Sequence, residues 1–355
     1  MIRLAVTCSL LLATPAAGLA ATVVPNTAPN AVEPIKRTMH IRFPKSVAMI
    51  PIMRVKGAIL LPATIAGKQV NLLFDNGADA SLIDTTLAQN NGMELTESRM
   101  GLQTGLSVMP TKLTRASITI GDALTVEGQF VAADLGAISR ALGTPVAGLL
   151  GAEALKAFIV IVNPSKGWIA LGLPGSVEVK SFIKTDGKPV DAQGAKALLP
   201  KLAPKAIPFE AGFVIKATIN GKPVNLKIDY GSTGTVVLRD SVWQQVIPPA
   251  SRTGRATNST RADGLNIGGE IGTGDFEIAG MVVPNMPIAS RAGYDRIRHD
   301  GFLGLSVLGA TTTVLDMPKQ RLVLFPPDAD VSVSASARPS VESTIPDAGA
   351  PTPER

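Results

Sequence analysis

The chain repeats itself. Ala63–Gly77, ATIAGKQVNLLFDNG, aligns without gaps on Ala217–Gly231, ATINGKPVNLKIDYG, 154 residues later, and ten of the fifteen positions are identical. A second pair of landmarks, GLLG at Gly148–Gly151 and GFLG at Gly301–Gly304, lies 153 residues apart. One short match could be a chance turn, but two distant matches at nearly one offset mean that a whole unit is duplicated. The copies keep their order further on: an apolar run, an Asn or Asp, a Lys and a second apolar run follow each GxLG, as AFIVIVNPSKGWIAL and ATTTVLDMPKQRLVLF. The 355 residues therefore hold two related domains, which agrees with the length expected of a two-domain chain.

Each unit reads as strands. ILLPATI and NLLF flank Gly67-Lys68 as a hairpin, and FVIKATI and VNLKI flank Asn220-Gly221, a strong two-residue hairpin signal. KLTRASITIG, ALTVEGQFVAA, FEIAGMVVPNMPIA and RLVLF carry the same strand pattern. Short helices are expected only over Asp84–Asn91, Asp240–Ile247 and near Ala152–Ala157. With 34 Gly, 27 Pro and only 17% charged residues, the composition suits strands and turns better than exposed helices. The 45% of apolar residues is enough for sizeable cores.

The ends are of another kind. Residues 1–20 read as an export signal: Arg3 is the only charge, an apolar stretch runs from Leu4 to Ala17, and Gly18 and Ala20 offer a cleavage point. That stretch is too short for a membrane span, so no integral span is expected once the signal is removed. Cys8, the only cysteine, leaves with it, and the mature chain has no disulfide. A periplasmic or secreted location follows. Residues 21–45 are expected to be a flexible arm, 46–173 the first lobe, 174–208 a linker, 209–326 the second lobe and 327–355 a disordered tail, the arm and tail lacking any hydrophobic period.

In each unit an apolar strand runs into an aspartate and then a glycine: Phe74-Asp75-Asn76-Gly77-Ala78 and Ile228-Asp229-Tyr230-Gly231-Ser232. A single Asp-x-Gly of this kind is a turn. An aspartate at the end of a buried strand, however, is costly unless it is paired or hydrogen-bonded. Its recurrence in both copies suggests that twofold-like packing brings two carboxylates into one cleft. These segments, with the later triplets Leu149-Leu150-Gly151 and Phe302-Leu303-Gly304, make the chain resemble the aspartic proteases, both the retropepsin-like bacterial members and the two-lobed pepsin arrangement. The resemblance covers most of residues 50–172 and 209–326. It implies an all-β fold of two related retropepsin-like barrel lobes with a central cleft, each lobe giving one aspartate.

The resemblance also implies a chemistry. Two carboxylates about 3 Å apart cannot both ionise and so share one proton. The ionised partner activates a water that attacks a peptide carbonyl, and the protonated partner donates to the carbonyl oxygen. Asp75 and Asp229 would be the catalytic pair, set in active-site turns formed by Asn76, Gly77, Ala78, Tyr230, Gly231 and Ser232. No cofactor and no metal is called for. The partner implied is a peptide or protein substrate in the inter-lobe cleft. Because both lobes lie on one chain, a monomer suffices to assemble the pair. Flaps over the cleft are expected at Gly101–Pro110 and Gly264–Gly274.

The chain departs from the family at one place in each turn. The family usually has Thr or Ser between Asp and Gly, and its hydroxyl bonds across the lobe interface; here Asn76 and Tyr230 stand instead. Asn can both donate and accept. Tyr is too large for the same small slot and is expected to fill part of the cleft or interface. The reading is an exported aspartic endopeptidase; the alternative is a weakly active or inactive protein of the same fold that binds peptides or envelope components. Other chemistries lack support. His40 and His299, the only histidines, accompany no GxSxG, and His299 reads as a surface-loop residue. The Gly-rich loop at 264–274 lacks the ending of a phosphate loop. Asp75, Asp79 and Asp84 do not have EF-hand spacing. The net charge of +6 comes without a dense basic block, so no nucleic-acid partner is expected.

Overall fold

The computed structural model of the chain describes residues 22–25, 38–104, 107–185, 188–189, 206–210, 212–260, 264–294, 297–325, 329–335 and 341–346. The expected export signal lies outside these residues. Both predicted hairpins form. Ala58–Ile65 pairs with Lys68–Phe74, and Val214–Ile219 with Lys222–Ile228. The first turn is Ala66-Gly67, with φ of 49° and 74°, and the second is Asn220-Gly221, with 51° and 75°. The first thus lies one residue earlier than expected, because Lys68 already pairs with Ile65. Two successive left-handed residues match the twist of the flanking strands, and Gly adopts that backbone without a steric penalty.

Each hairpin opens a closed barrel. In the first lobe the order is Ser107–Ile120, Ala58–Ile65, Lys68–Phe74, Gly148–Leu150, Leu82–Asp84 and Leu124–Ala133, which pairs back with Ser107–Ile120. In the second lobe the corresponding ring is Asn266–Ile278, Val214–Ile219, Lys222–Ile228, Gly301–Leu303, Val236–Arg239 and Met281–Arg291. The fold is the expected all-β pair of related lobes. The three expected helices appear as Thr85–Asn90, Asp240–Val246 and Ala152–Leu155. Asp84 caps the first, accepting from the Leu87 N–H at 2.9 Å. The helix Gly136–Leu142 was not foreseen; it packs Ile138 and Leu142 onto the outer core of the first lobe.

The lobes are joined by a sheet to which both contribute. Its order is Ala206–Pro208, Arg321–Phe325, Thr312–Asp316, Ile159–Asn163, Trp168–Gly172 and Val47–Pro51. The central pair crosses the lobe boundary, with Val160 opposite Leu315 and Ile161 opposite Val314. One hydrophobic core, including Phe74, Val160, Ile228 and Leu315, runs unbroken from lobe to lobe. Segments expected to be arm, linker and tail also carry strands. Thr22–Pro25 pairs with Thr96–Thr104, and Thr38–Phe43 lies between Leu124–Ala133 and Val341–Pro346. Val177–Thr185 pairs with Ala329–Ala335. Met39, Ile41 and Phe43 alternate into the core, a two-residue period within a segment whose overall composition is loose. Among the described residues no helix is long and apolar enough to cross a membrane.

A shared central sheet makes the lobes one cooperative unit. Leu315→Ala, at a fully buried position, is expected to cost about 2–5 kcal/mol. In scanning calorimetry both lobes should still melt in a single lowered transition; two separated transitions would contradict the shared core.

Candidate active site

The two Asp-x-Gly turns meet at the seam between the lobes. Asp75 leaves the end of its strand and its N–H donates to Leu150 O at 3.2 Å; Asp229 N–H donates to Leu303 O at 3.0 Å. The apolar triplets therefore lie beside the turns, as the resemblance implied. Their glycines are required by space: a Cβ on Gly151 would fall 2.4 Å from Ala80 O, and one on Gly304 2.5 Å from Gly234 O. Each turn then closes alike. Ala78 N–H and Ser232 N–H each donate to the Oδ1 of their own aspartate at 3.1 Å, and Gly231 N–H donates to Asp229 Oδ1 at 2.8 Å.

The carboxylates face each other across the turn glycines. A Cβ on Gly77 would lie 2.5 Å from Asp229 Oδ1 and 3.0 Å from Asp75 Oδ1, so both groups come within 3.0 Å of one point. A Cβ on Gly231 would lie 2.5 Å from Asp75 Cγ. Any side chain at either glycine would push the pair apart. Both aspartates are buried, and the Oδ2 atom of each has no protein hydrogen-bond partner.

Asn76 and Tyr230 hold this arrangement in different ways. Asn76 reaches across the seam: its Nδ2 donates to Ile228 O at 3.0 Å and its Oδ1 accepts from Tyr230 N–H at 2.8 Å. One amide thus makes two bonds across the seam, one as donor and one as acceptor. Tyr230 is fully buried, as part of the interface; its ring packs on Phe74 of the other lobe at 5.3 Å and its hydroxyl bonds Thr313 of the shared sheet. Ala78 and Ser232 are buried and contribute backbone contacts: Ala78 O accepts from Ala152 N–H, and Ser232 O from Leu305 N–H.

Electrostatics follow from this burial. Loss of hydration pushes Asp75 well above the usual carboxylate range, and the facing Asp229 adds to the rise. Burial raises Asp229 as well. The turn N–H groups and Lys227 act in the opposite direction on both, and Arg291 does so on Asp229. Lys227 and Arg291 were not foreseen. Lys227 stands where the first copy has Leu73, one of the five mismatches in the fifteen-residue alignment, which is the signal that marks it. His299 corrects its expected surface place: it is partly buried, its Nδ1 lies 2.7 Å from Gly301 O, and its ring packs edge-on against Phe302. Burial, with Lys227 nearby, takes its pKa down to about 4.

The predicted flap regions fall on long hairpins. Residues 105–106, inside the first, lie outside the described residues; the second is built from Arg252–Thr260 and Asn266–Ile278. Near its tip, Gly264 approaches the first lobe, where a Cβ on it would lie 3.2 Å from Ala137 Cβ. Beneath this hairpin is a pocket of about 120 Å³ beside Gly234 and Thr235, walled by Ile267, Ile271 and Pro287, with Arg291 in its lining.

The aspartyl protease family model matches this chain twice, over residues 61–154 and 215–307, together more than half its length. The chain belongs to that family. No curated protein matches it.

Two outcomes are expected. Asn76→Ala leaves Ile228 O and Tyr230 N–H unpaired in the buried seam, at about 1–3 kcal/mol for each group, measurable by denaturant unfolding. The second concerns pH. Between the ordinary carboxylate range and the raised range of the pair, the folded protein holds more protons than the unfolded chain. Stability therefore falls as pH rises through that window. Asp75→Asn should flatten this decline and melt above the parent at neutral pH in a thermal scan series.

Proposed function

We propose that the chain is an exported aspartic endopeptidase in which Asp75 and Asp229 act together on a water molecule. The observation that carries this reading is the approach of two buried carboxylates to one point, each with an oxygen that bonds no other protein group. Such a pair keeps one shared proton over a range of pH. The charged member takes a proton from the water as the water attacks the peptide carbonyl. The protonated member donates to the carbonyl oxygen, and the proton later reaches the leaving amine. The turn N–H groups fix the carboxylates, and Asn76 fixes one turn against the other, so the pair is set before substrate arrives. Export rests on the apolar, singly charged N-terminal 20 residues.

The substrate reading is an extended peptide across the seam. The pocket under the second-lobe hairpin, walled mainly by aliphatic side chains, suits a small apolar side chain of that peptide. The alternative, a protein of this fold that binds peptides without cleaving them, is motivated by Tyr230 at a position where the family carries a hydroxyl residue of small size. Its force is reduced by Asn76, which supplies the bonds between the turns.

The test is incubation of the mature protein with a mixed peptide library from pH 3 to 7, with products read by mass spectrometry. Cleavage is expected to be best above the ordinary carboxylate range, because the pair is raised. Asp75→Asn and Asp229→Asn should each lower kcat by about 10²–10⁴-fold. Cleavage that survives both substitutions, or peptide binding with no cleavage at any pH, would overturn the enzymatic reading.

A further inference from the structure

The second lobe carries a cation that the duplication does not require. In the first copy, position 73 is Leu, fully buried among Leu60, Leu82 and Leu149. The same strand position in the second copy is Lys227, with only 6% of its surface exposed. An apolar side chain satisfies the barrel at this site, as Leu73 demonstrates, and burying an ammonium is costly without good partners. The partners of Lys227 lie in the other lobe. Its Nζ donates to Gly77 O at 2.9 Å, within the first aspartate turn, and lies 3.6 Å from Asp79 Oδ1.

We propose that Lys227 is a positioning residue for the aspartate pair: its ammonium ties the first lobe's turn to the second lobe and keeps one of the two carboxylates ionised. The tether is the bond to Gly77 O. Gly77 is one of the two glycines whose bare Cα lets the carboxylates approach, so the ammonium holds part of the backbone on which their separation depends. The charge acts through space on both aspartates, opposing the burial that favours their neutral forms. Asp79 compensates only part of this charge, being half exposed and at 3.6 Å.

The other charged or titratable groups in this neighbourhood have their own places. Arg291, at the end of Met281–Arg291, also faces Asp229 and stacks on Tyr294. Arg239 pairs with Asp300 at 2.9 Å. His299 bonds Gly301 O and is held in the neutral form down to about pH 4. Neutral His299 supplies no charge over most of the range in which the pair works, and Asp300 is occupied by Arg239. Lys227 is bonded directly to the first aspartate turn.

The consequence for catalysis rests on the proteolytic reading; the test of the residue does not. The chain labelled with ¹³C at its Asp carboxyls is titrated by NMR, as wild type and as Lys227→Met, Lys227→Gln and Lys227→Arg. Removing the charge should move both inflections of the pair to higher pH, by about one unit. Lys227→Gln, which can still donate to Gly77 O, should show this shift with less loss of stability than Lys227→Met, and Lys227→Arg should restore the wild-type titration. A folded neutral variant with unchanged inflections overturns the proposal, since a merely structural lysine would lower stability without moving them. If the neutral variants do not fold, the ¹⁵Nζ signal of Lys227 in the wild type decides. A signal that moves with the inflections of the pair supports the proposal, and one that stays flat through them overturns it. The pH profile of kcat/KM should follow the titration. A wild type that cleaves nothing would count against the protease reading alone, and the titration would still judge Lys227.

Discussion

Two carboxylates forced to within 3.0 Å of a common point, out of water, set the terms for everything around them. Such an arrangement is opposed by lost hydration and, when both ionise, by mutual repulsion. It persists because each carboxylate accepts turn N–H groups, because glycine stands where a side chain would intrude, and because the strands beneath are closed into barrels. The cross-lobe sheet supplies the rest of the rigidity. Its central strands pair across the boundary, so the separation of the aspartates is tied to a continuous hydrogen-bonded layer and a continuous core.

The seam is symmetric in backbone and asymmetric in side chains. Corresponding hydrogen bonds recur in both turns, from Ala78 to Asp75 and from Ser232 to Asp229, and from each turn to its neighbouring triplet strand. Only one amide, Asn76, spans the turns, and its counterpart Tyr230 fills the interface between Phe74 and Thr313 instead. Lys227 stands where Leu73 stands in the other copy. Once two copies share one chain, each is free to specialise: one gives the bridging amide, and the other gives the packing ring and the ammonium. A symmetric dimer of identical units could not divide these tasks.

Much of this was legible because it is local. The hairpins follow from Asn-Gly and its counterpart, and the aspartate turns from strand-Asp-x-Gly repeated in register. The strands in the supposed arm and tail were not legible, because a short strand with one apolar face looks loose until its partner is known. Met39, Ile41 and Phe43 gain their meaning from Leu124–Ala133, more than 80 residues away. His299 was misplaced for the same reason: its neighbours in sequence suggest a loop, while its ring lies against Phe302.

From the residues alone came the duplication, the all-β character and the identity of Asp75 and Asp229 as the pair to examine, since each is written in spacing and residue type along the chain. Tertiary structure decided how Asn76 and Tyr230 are used and what the buried Lys227 bonds. Those outcomes depend on contacts between segments about 150 residues apart: the repeat alignment marks Lys227 as a mismatch with Leu73, but its 2.9 Å bond to Gly77 O is set by how the two barrels meet.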